Sequence, residues 1–223
     1  MTYQFQFQAV WQNWEILRDG LILTLQISAL SIAIGMSIGI LGAVCRTSKN
    51  KLLGSLAAIY VEVIRNTPFL VQLLFIYFGI SSLGPSIGSE RAALMALSIN
   101  FGAYATEIIR AGIQSIPQEQ IQAGMSLGLN RFQIFHRIIL KPAIANIYSA
   151  LTGQIVLLIL LSSVVSQISA EELTFAGNFV RSRTFRDFEV YIAIAIIYIL
   201  IALSFKAIAY LLHQQFFKFT KYT

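Results

Sequence analysis

The sequence predicts an all-α integral membrane protein with five transmembrane helices, on the evidence of its composition and its segmentation. The chain of 223 residues is 57% hydrophobic and 12% charged, with a mean hydropathy of +0.71. A soluble domain carries about 25% charged residues. The charged residues are also unevenly placed, because long apolar stretches are almost free of them. This pattern indicates a chain that is solvated by lipid.

Five apolar segments approach the length of about 20 residues that a membrane-spanning helix needs. Within one transmembrane domain covering residues 1–223, the segments are 21–44, 55–82, 91–113, 143–168 and 189–212. The first apolar run is too long for the h-region of a cleavable signal peptide, which has about 7–15 residues. We therefore expect it to insert and to stay. Because the number of spans is odd, the two termini are expected on opposite sides of the membrane.

The basic residues outside the spans predict the orientation. One side holds most of them: Arg46, Lys49, Lys51, Arg110, Arg131, Arg137, Lys141, Lys206, Lys218 and Lys221. The other side holds fewer: Arg18, Arg91, Arg181, Arg183 and Arg186. The side with the excess is expected to face the cytoplasm. The sequence thus predicts an external N-terminus and a cytoplasmic C-terminus, and this asymmetry explains the net charge of +6 better than nucleic-acid binding does.

The sequence gives little indication of enzymatic activity. One cysteine, Cys45, and two histidines make a dedicated metal site improbable on composition. The chain has no G-x-x-x-x-G-K-[ST] phosphate loop, and it has neither an HExxH nor a GxSxG motif. We expect no catalytic residue, no metal and no cofactor bound by this chain.

The long connection at 114–141 has the pattern of an amphipathic helix. Ile121, Met125, Leu129 and Phe132 recur at helical spacing, and Pro117 can open a helix at its first turn. We expect one short helix at the cytoplasmic surface. Two alternatives remain open from this pattern, because such a helix can dock on a partner or lie on the membrane without one.

The same connection resembles the "EAA" loop of ABC importer permeases, through residues 122–128 followed by Phe135, Arg137, Ile138, Leu140 and Pro142. In that family the loop forms a coupling helix that docks in a groove of the ATPase subunit. Here the usual glutamate is Gln122, the second alanine is Gly124, and the proline follows Lys141. The resemblance implies that the following residues couple to the ATPase: Gln122, Ala123, Gly124, Leu127, Gly128, Phe132 and Phe135.

Three further segments, 60–73, 96–110 and 184–189, are similar to signatures of the polar amino acid uptake branch, the histidine/arginine/glutamine type. The similarity covers about residues 20–212 and implies the type I ABC importer permease fold in a bacterial inner membrane. It implies two ATPase subunits that hold ATP–Mg, a second permease and an external amino acid-binding protein. The substrate would be a polar, possibly basic, amino acid. Residues 169–188 would meet the binding protein.

Ionisable and polar residues within the spans are candidates for the translocation path. Glu62 and Arg65 lie three residues apart, where they can pair, and Pro68 frees the carbonyl of Ile64. These residues line the path or, alternatively, anchor the helix at the interface. Glu107 and Arg110 repeat the spacing as helix-end charges. The candidates are Glu62, Arg65, Thr67, Pro68, Gln72, Asn100, Tyr104, Ser162 and Ser163.

The fourth segment departs from the family pattern. Leu160 and Leu161 stand where relatives typically carry a lysine and an acidic or polar residue. A charged substrate needs opposite charges or dipoles to offset its desolvation. We therefore favour a heterodimer in which the second permease holds the substrate more strongly. The other possibility is that the external binding protein alone selects it.

Two other functions are weighed on the sequence. A proton-coupled secondary carrier would use Glu62 or Glu107 as its proton site, but such carriers usually contain internal repeats, and none is convincing here. An intramembrane enzyme needs a nucleophile with its base, or a metal pair, inside the bilayer. The sequence shows neither of these arrangements.

Overall fold

A computed structural model describes residues 4–84 and 87–216, and within these ranges the chain is helical and has no strand. Lys218 and Lys221, which contribute to the predicted orientation, lie outside the described residues. The α-helices are α1 Gln8–Gln12, α2 Trp14–Thr47, α3 Lys51–Arg65, α4 Phe69–Leu83, α5 Ser89–Gln114, α6 Gln118–Ser126, α7 Arg131–Ile134, α8 Leu140–Leu161, α9 Leu173–Thr184 and α10 Asp187–Phe216.

Four helical stretches in the described ranges are long and apolar enough to cross a membrane. They are α2, α5, the continuous helix Arg131–Ile168 and the part Asp187–Gln215 of α10. A fifth crossing requires α3 and α4 together, and these two helices meet at an angle of 106°. The segment predicted at 55–82 is therefore two helices. We call the end of the bundle formed by residues 45–51 and 114–141 the basic end, and the opposite end the α9 end.

Helix α2 packs closely on α5 because its contact face is made of small residues. A β-carbon added at Gly39 would lie 2.5 Å from the β-carbon of Ala105, and one at Gly35 would lie 2.8 Å from the carbonyl oxygen of Ser98. Small residues let two membrane helices approach closely. In the sequence, Gly35 and Gly39 stand four residues apart, a small-xxx-small spacing that predicts close helix packing, and this contact agrees with that prediction.

The helix Arg131–Ile168 changes its winding twice. Residues Phe135–Ile139 form a π-helical segment, and Ser162–Ile168 form a 3₁₀-helix. Pro142 cannot donate a hydrogen bond to the carbonyl of Ile138, four residues earlier, and Ile138 lies within the wider π-helical segment. Both irregular segments therefore mark places where the regular hydrogen-bond ladder is interrupted.

Two apolar clusters hold the bundle together. One joins α2, α4, α5 and α8 around buried residues that include Leu73, Leu97, Phe101 and Leu158. The other lies toward the α9 end and joins α1, α2, α9 and α10. Residues 169–188, expected as an outer loop, contain the twelve-residue helix α9.

The prediction of one continuous amphipathic helix at 121–132 is wrong. Helix α6 ends at Ser126, and Gly128 adopts a left-handed conformation with φ of +74°. The side chain of Asn130 then caps α7 by accepting a hydrogen bond of 2.9 Å from the Gln133 amide. Because glycine takes a positive φ without a β-carbon clash, the chain turns here and the segment becomes a helix–turn–helix.

Candidate translocation site and coupling element

The break between α3 and α4 is held by the side chain of Gln72. Pro68 leaves the carbonyl of Ile64 without its helical donor, and Nε2 of Gln72 lies 2.7 Å from that carbonyl oxygen. The same nitrogen lies 2.8 Å from the hydroxyl oxygen of Thr67. A buried carbonyl needs a partner, so Gln72 stabilises a backbone break that would otherwise be costly within a membrane.

Asn100 on the neighbouring helix α5 holds the side chain of Gln72 in place. Its side-chain amide donates a hydrogen bond of 3.0 Å to Oε1 of Gln72. Gln72 is 8% exposed and Asn100 is 6% exposed. Two of the predicted path residues are therefore brought together by the fold in a buried contact between α4 and α5.

Glu62 and Arg65 do not pair with each other. The Arg65 guanidinium lies over the ring of Tyr104, with its carbon 5.4 Å from the ring centroid. The Glu62 carboxylate accepts a hydrogen bond of 3.0 Å from Asn66 at the end of α3. The expected i,i+3 ion pair is thus corrected, because aromatic contact on α5 draws the guanidinium away from its own helix.

A cavity of about 380 Å³ opens beside Arg65 and Tyr104, and we call it the polar cavity because half of its lining residues carry polar side chains. It runs between α3, α5 and α8, and its other polar lining residues are Glu107, Ser115 and Asn146. The amide of Asn146 donates a hydrogen bond of 2.8 Å to the Ser115 hydroxyl. This cavity is the place in the described chain where the predicted path residues Arg65 and Tyr104 meet an open volume.

Cationic groups outnumber the one carboxylate at the basic end of this cavity. Glu107 is ion-paired with Arg110 and lies 4.0 Å from the Arg46 guanidinium on α2. Arg110 also donates to Gln114. Glu107 and Arg110, which the sequence indicates as helix-end charges with i,i+3 spacing, form an ion pair with each other, and with Arg65 nearby the local charge is positive. An anionic group of a solute would be attracted here.

Ser162 and Ser163 lie elsewhere. Ser162 is fully buried and donates a hydrogen bond of 2.6 Å to the carbonyl of Ile159. Ser163 donates 2.7 Å to the carbonyl of Leu160. Both hydroxyls satisfy carbonyls at the start of the 3₁₀ segment, and neither lines the cavity beside Arg65. In this structure they stabilise a change of helix winding.

A buried polar cluster toward the α9 end was not predicted from the sequence. Glu172 is fully buried and caps α9 by accepting a hydrogen bond of 3.0 Å from the Phe175 amide. Its other oxygen accepts 2.7 Å from the hydroxyl of Tyr198 on α10. On α2, Thr24 accepts 3.1 Å from the Leu173 amide. Burial raises the pKa of the Glu172 carboxyl.

The Glu172 carboxylate therefore joins α9 to α10, and it also accepts a long hydrogen bond of 3.5 Å from the hydroxyl of Thr24 on α2. The sequence signal for it was an acidic residue directly before a helix that begins with Leu173. A glutamate in that place is usually a solvent-exposed cap, so burial could not be foreseen. Glu189 is also fully buried, and its carboxylate accepts a hydrogen bond of 2.8 Å from the backbone amide of Gln6.

The helix–turn–helix at the basic end is compact on one side and apolar on the other. Gly124 is buried against Ile138, and a β-carbon added to it would lie 2.5 Å from that side chain. The segment presents large apolar side chains to solvent, with exposed fractions of 58% for Met125, 80% for Leu127 and 76% for Phe132. Gln122, Ala123, Gly128 and Phe135 are exposed as well. An exposed apolar patch of this kind marks an interaction surface.

The fold and these features define a helical membrane transport component, and known proteins identify its family. The chain belongs to the family described as binding-protein-dependent transport system inner membrane component, whose sequence model matches residues 35–218. Within that family it is a permease component of an amino acid ABC importer. It is therefore a multi-pass protein of the bacterial inner membrane, and its family works with an ATPase and a substrate-binding protein.

Individual relatives agree with this assignment. The chain is 34% identical over 202 residues to the glutamine transport system permease protein GlnP of Escherichia coli (strain K12), covering 90% of this chain and 92% of that protein. It is 33% identical over 198 residues to a putative glutamine transport system permease protein GlnP of Rickettsia bellii, covering 88% and 91%.

Solved structures support the fold. A crystal structure of an amino acid ABC transporter with histidines contains a chain that is 37% identical to this one and superposes with a TM-score of 0.90. The match covers 96% of this chain and 100% of that chain. The MetNI methionine ABC transporter, in an inward-facing conformation, has a TM-score of 0.65 at 22% identity, with 92% of this chain and 98% of that one covered. At that identity the likeness concerns the fold alone.

Proposed function

We propose that this chain forms one half of the translocation path for a polar amino acid, with its basic end in the cytoplasm. The observation that carries the proposal is the polar cavity beside Arg65 and Tyr104, on the same chain as the exposed apolar helix–turn–helix. The excess of lysine and arginine at that end supports the orientation. Similarity to glutamine permeases makes glutamine the first substrate to test.

In this proposal the substrate is an amino acid zwitterion that passes along the cavity. The Arg65 guanidinium would attract its carboxylate, and Tyr104 would limit the rotation of Arg65. Leu160 and Leu161 supply no charge for a substrate side chain, and Leu160 is 41% exposed. A strongly charged side chain would have to be stabilised by the second permease. This supports a heterodimer and a substrate with a neutral polar side chain over a basic one.

The energy would come from two partner ATPase subunits that hold ATP–Mg. The exposed side chains of Met125, Leu127 and Phe132 would be buried in a groove of the ATPase, since burying apolar area contributes about 25 cal/mol per Å². Closure of the ATPase pair would then push on α7 and on the π-helical segment that continues into α8. A binding protein would deliver the substrate at the α9 end.

The test is uptake into vesicles that contain the chain with its co-purifying subunits. ATP inside the vesicles and binding protein outside should drive accumulation of labelled glutamine, and Arg65→Gln should lower it. Accumulation driven by a proton gradient without ATP would contradict the proposal and favour a secondary carrier. Competition with unlabelled arginine and histidine then reports whether a basic amino acid is preferred.

A further inference from the structure

A second cavity, of about 420 Å³, lies between α2, α5 and α8 and is lined by apolar side chains. The one lining residue with a polar side-chain atom is Tyr148, and its hydroxyl donates a hydrogen bond of 2.7 Å to the carbonyl of Ala209 on α10.

Small residues at the helix junction create this space. Ala43 on α2 and Ala143 on α8 both line the cavity and are buried, and their methyl side chains are too short to fill the gap between the two helices. On the open side, Val44 is 59% exposed and Ile144 is 41% exposed. The cavity is therefore a groove that opens outward from the bundle, and its lining reaches the basic end at Phe135 and Ile139.

The groove faces away from the polar cavity. On α5, Ile109 and Ile113 line the groove, whereas Tyr104 and Glu107 line the polar cavity. Ile147 lines both, and it packs so closely on Gly112 that the two residues form the wall between them. The assignment of the groove to the lipid-facing surface rests on the proposed function. A second permease that closes the path must cover the side of the chain with the polar cavity, and this leaves the groove facing lipid.

Water is a poor occupant of such a space, because an apolar cavity gives it no hydrogen-bond partners. Lipid hydrocarbon meets no such penalty. In the sequence, at the basic end, Arg137 stands between the lining residues Phe135 and Ile139, and Lys141 directly follows the lining residue Leu140. Both cations are exposed, and neither is in an ion pair within residues 4–84 and 87–216. Basic groups beside a groove between membrane helices attract anionic head groups.

We propose that this groove is a binding site for an anionic phospholipid. One acyl chain occupies the space between α2, α5 and α8, and the head-group phosphate is held by Arg137 and Lys141. The bound acyl chain packs against Ile147 on the groove side and thereby stabilises the wall of the polar cavity.

The experiment measures which phospholipids stay with the purified transporter complex. The complex is reconstituted with equal amounts of phosphatidylglycerol and phosphatidylcholine, extracted in mild detergent and analysed by native mass spectrometry. The unmodified chain should retain phosphatidylglycerol. Ala143→Leu, which fills the groove, should lose it, whereas the control Ala195→Leu on the exposed face of α10 should retain it. Arg137→Gln with Lys141→Gln should keep a lipid but lose the preference for phosphatidylglycerol.

Equal retention of phosphatidylglycerol by Ala143→Leu and Ala195→Leu would overturn the proposal. A cysteine placed at Val44, in a chain with Cys45→Ser, gives a measurement that does not depend on filling the groove. Crosslinking of this cysteine to a second permease would show that a protein helix covers the groove, and would also overturn it. ATP-driven uptake is measured separately, so that loss of uptake with lipid retained bears on the proposed function alone.

Discussion

Gln72 on α4 and Asn100 on α5 are joined by a buried hydrogen bond of 3.0 Å. The side-chain nitrogen of Gln72 also donates a hydrogen bond to the carbonyl of Ile64, which Pro68 leaves without a helical donor. The sequence predicts both residues as candidates for the translocation path. Their geometry gives them a different physical role, because both polar ends of the Gln72 amide and the side-chain nitrogen of Asn100 already form hydrogen bonds within the fold.

Gln72→Leu should destabilise the protein, because it leaves the Asn100 amide buried without a partner and the Ile64 carbonyl with only the long contact of 3.5 Å from the Thr67 hydroxyl. Each unsatisfied buried group costs about 1–3 kcal/mol. Thermal unfolding in detergent should show a lower midpoint for this variant than for the exposed control Asn66→Ala. Adding Asn100→Leu should cost less than the sum of the two single changes. Strict additivity would mean that the two side chains do not act together.

Tyr104 is expected to act through its ring. Tyr104→Phe keeps an aromatic face under the Arg65 guanidinium, whereas Tyr104→Leu removes a contact that is worth about 0.5–2 kcal/mol. Uptake of labelled glutamine should stay near normal for the phenylalanine variant and fall for the leucine variant. If both variants lost uptake equally, the hydroxyl would be the group that matters and the ring contact would not explain the site.

Substitutions at Gly128 test whether the helix–turn–helix docks on the ATPase. Gly128→Glu forces a side chain into a left-handed conformation and puts a carboxylate beside the apolar Leu127, so it should reduce the amount of ATPase that co-purifies. Gly128→Asn is the matched control, since asparagine tolerates a positive φ. The chain itself should still be inserted in the membrane. Normal assembly and uptake by Gly128→Glu would contradict the assignment of residues 118–135 to ATPase docking.

Glu172 should make stability depend on pH. Burial raises the pKa of its carboxyl in the folded state, so the folded state binds the proton more tightly than the unfolded state. The resulting stabilisation is complete below the ordinary glutamic acid pKa of about 4.3 and is lost as pH rises through the folded-state value. Glu172→Gln stays neutral, so its unfolding midpoint should decline less as pH increases.

The adjacent Glu171 supplies the control for this measurement, because it is exposed and differs from Glu172 mainly in burial. Glu171→Gln should leave the pH dependence of the unfolding midpoint unchanged. A Glu172→Gln profile that runs parallel to that of the unmodified protein would show that Glu172 does not contribute to the pH dependence.

The orientation can be read from labelling. A cysteine at the exposed position Ser126, in a chain with Cys45→Ser, should react with a membrane-impermeant maleimide only after the cytoplasmic face is opened. A cysteine at the exposed Ser182 on α9 should react from outside in intact cells. The reverse pattern would place the helix–turn–helix on the exterior and remove the basis for ATPase docking.

The sequence by itself determined what depends on local composition. Apolar runs of sufficient length predicted the membrane helices, because lipid requires a continuous apolar surface and a closed backbone hydrogen-bond ladder. The spacing of Gly35 and Gly39 predicted close helix packing, and Pro68 predicted an interrupted helix. Motif similarity predicted the family, which was confirmed.

Only the tertiary structure decided which polar groups meet. Arg65 lies over Tyr104 on another helix and not beside Glu62, and Glu172 is buried because α2, α9 and α10 converge on it. A side chain's partners depend on how neighbouring helices pack, and residues far apart in the chain contribute to that packing. Periodicity within one helix carries no information about this, so a three-residue spacing could suggest the Glu62–Arg65 pair but could not establish it.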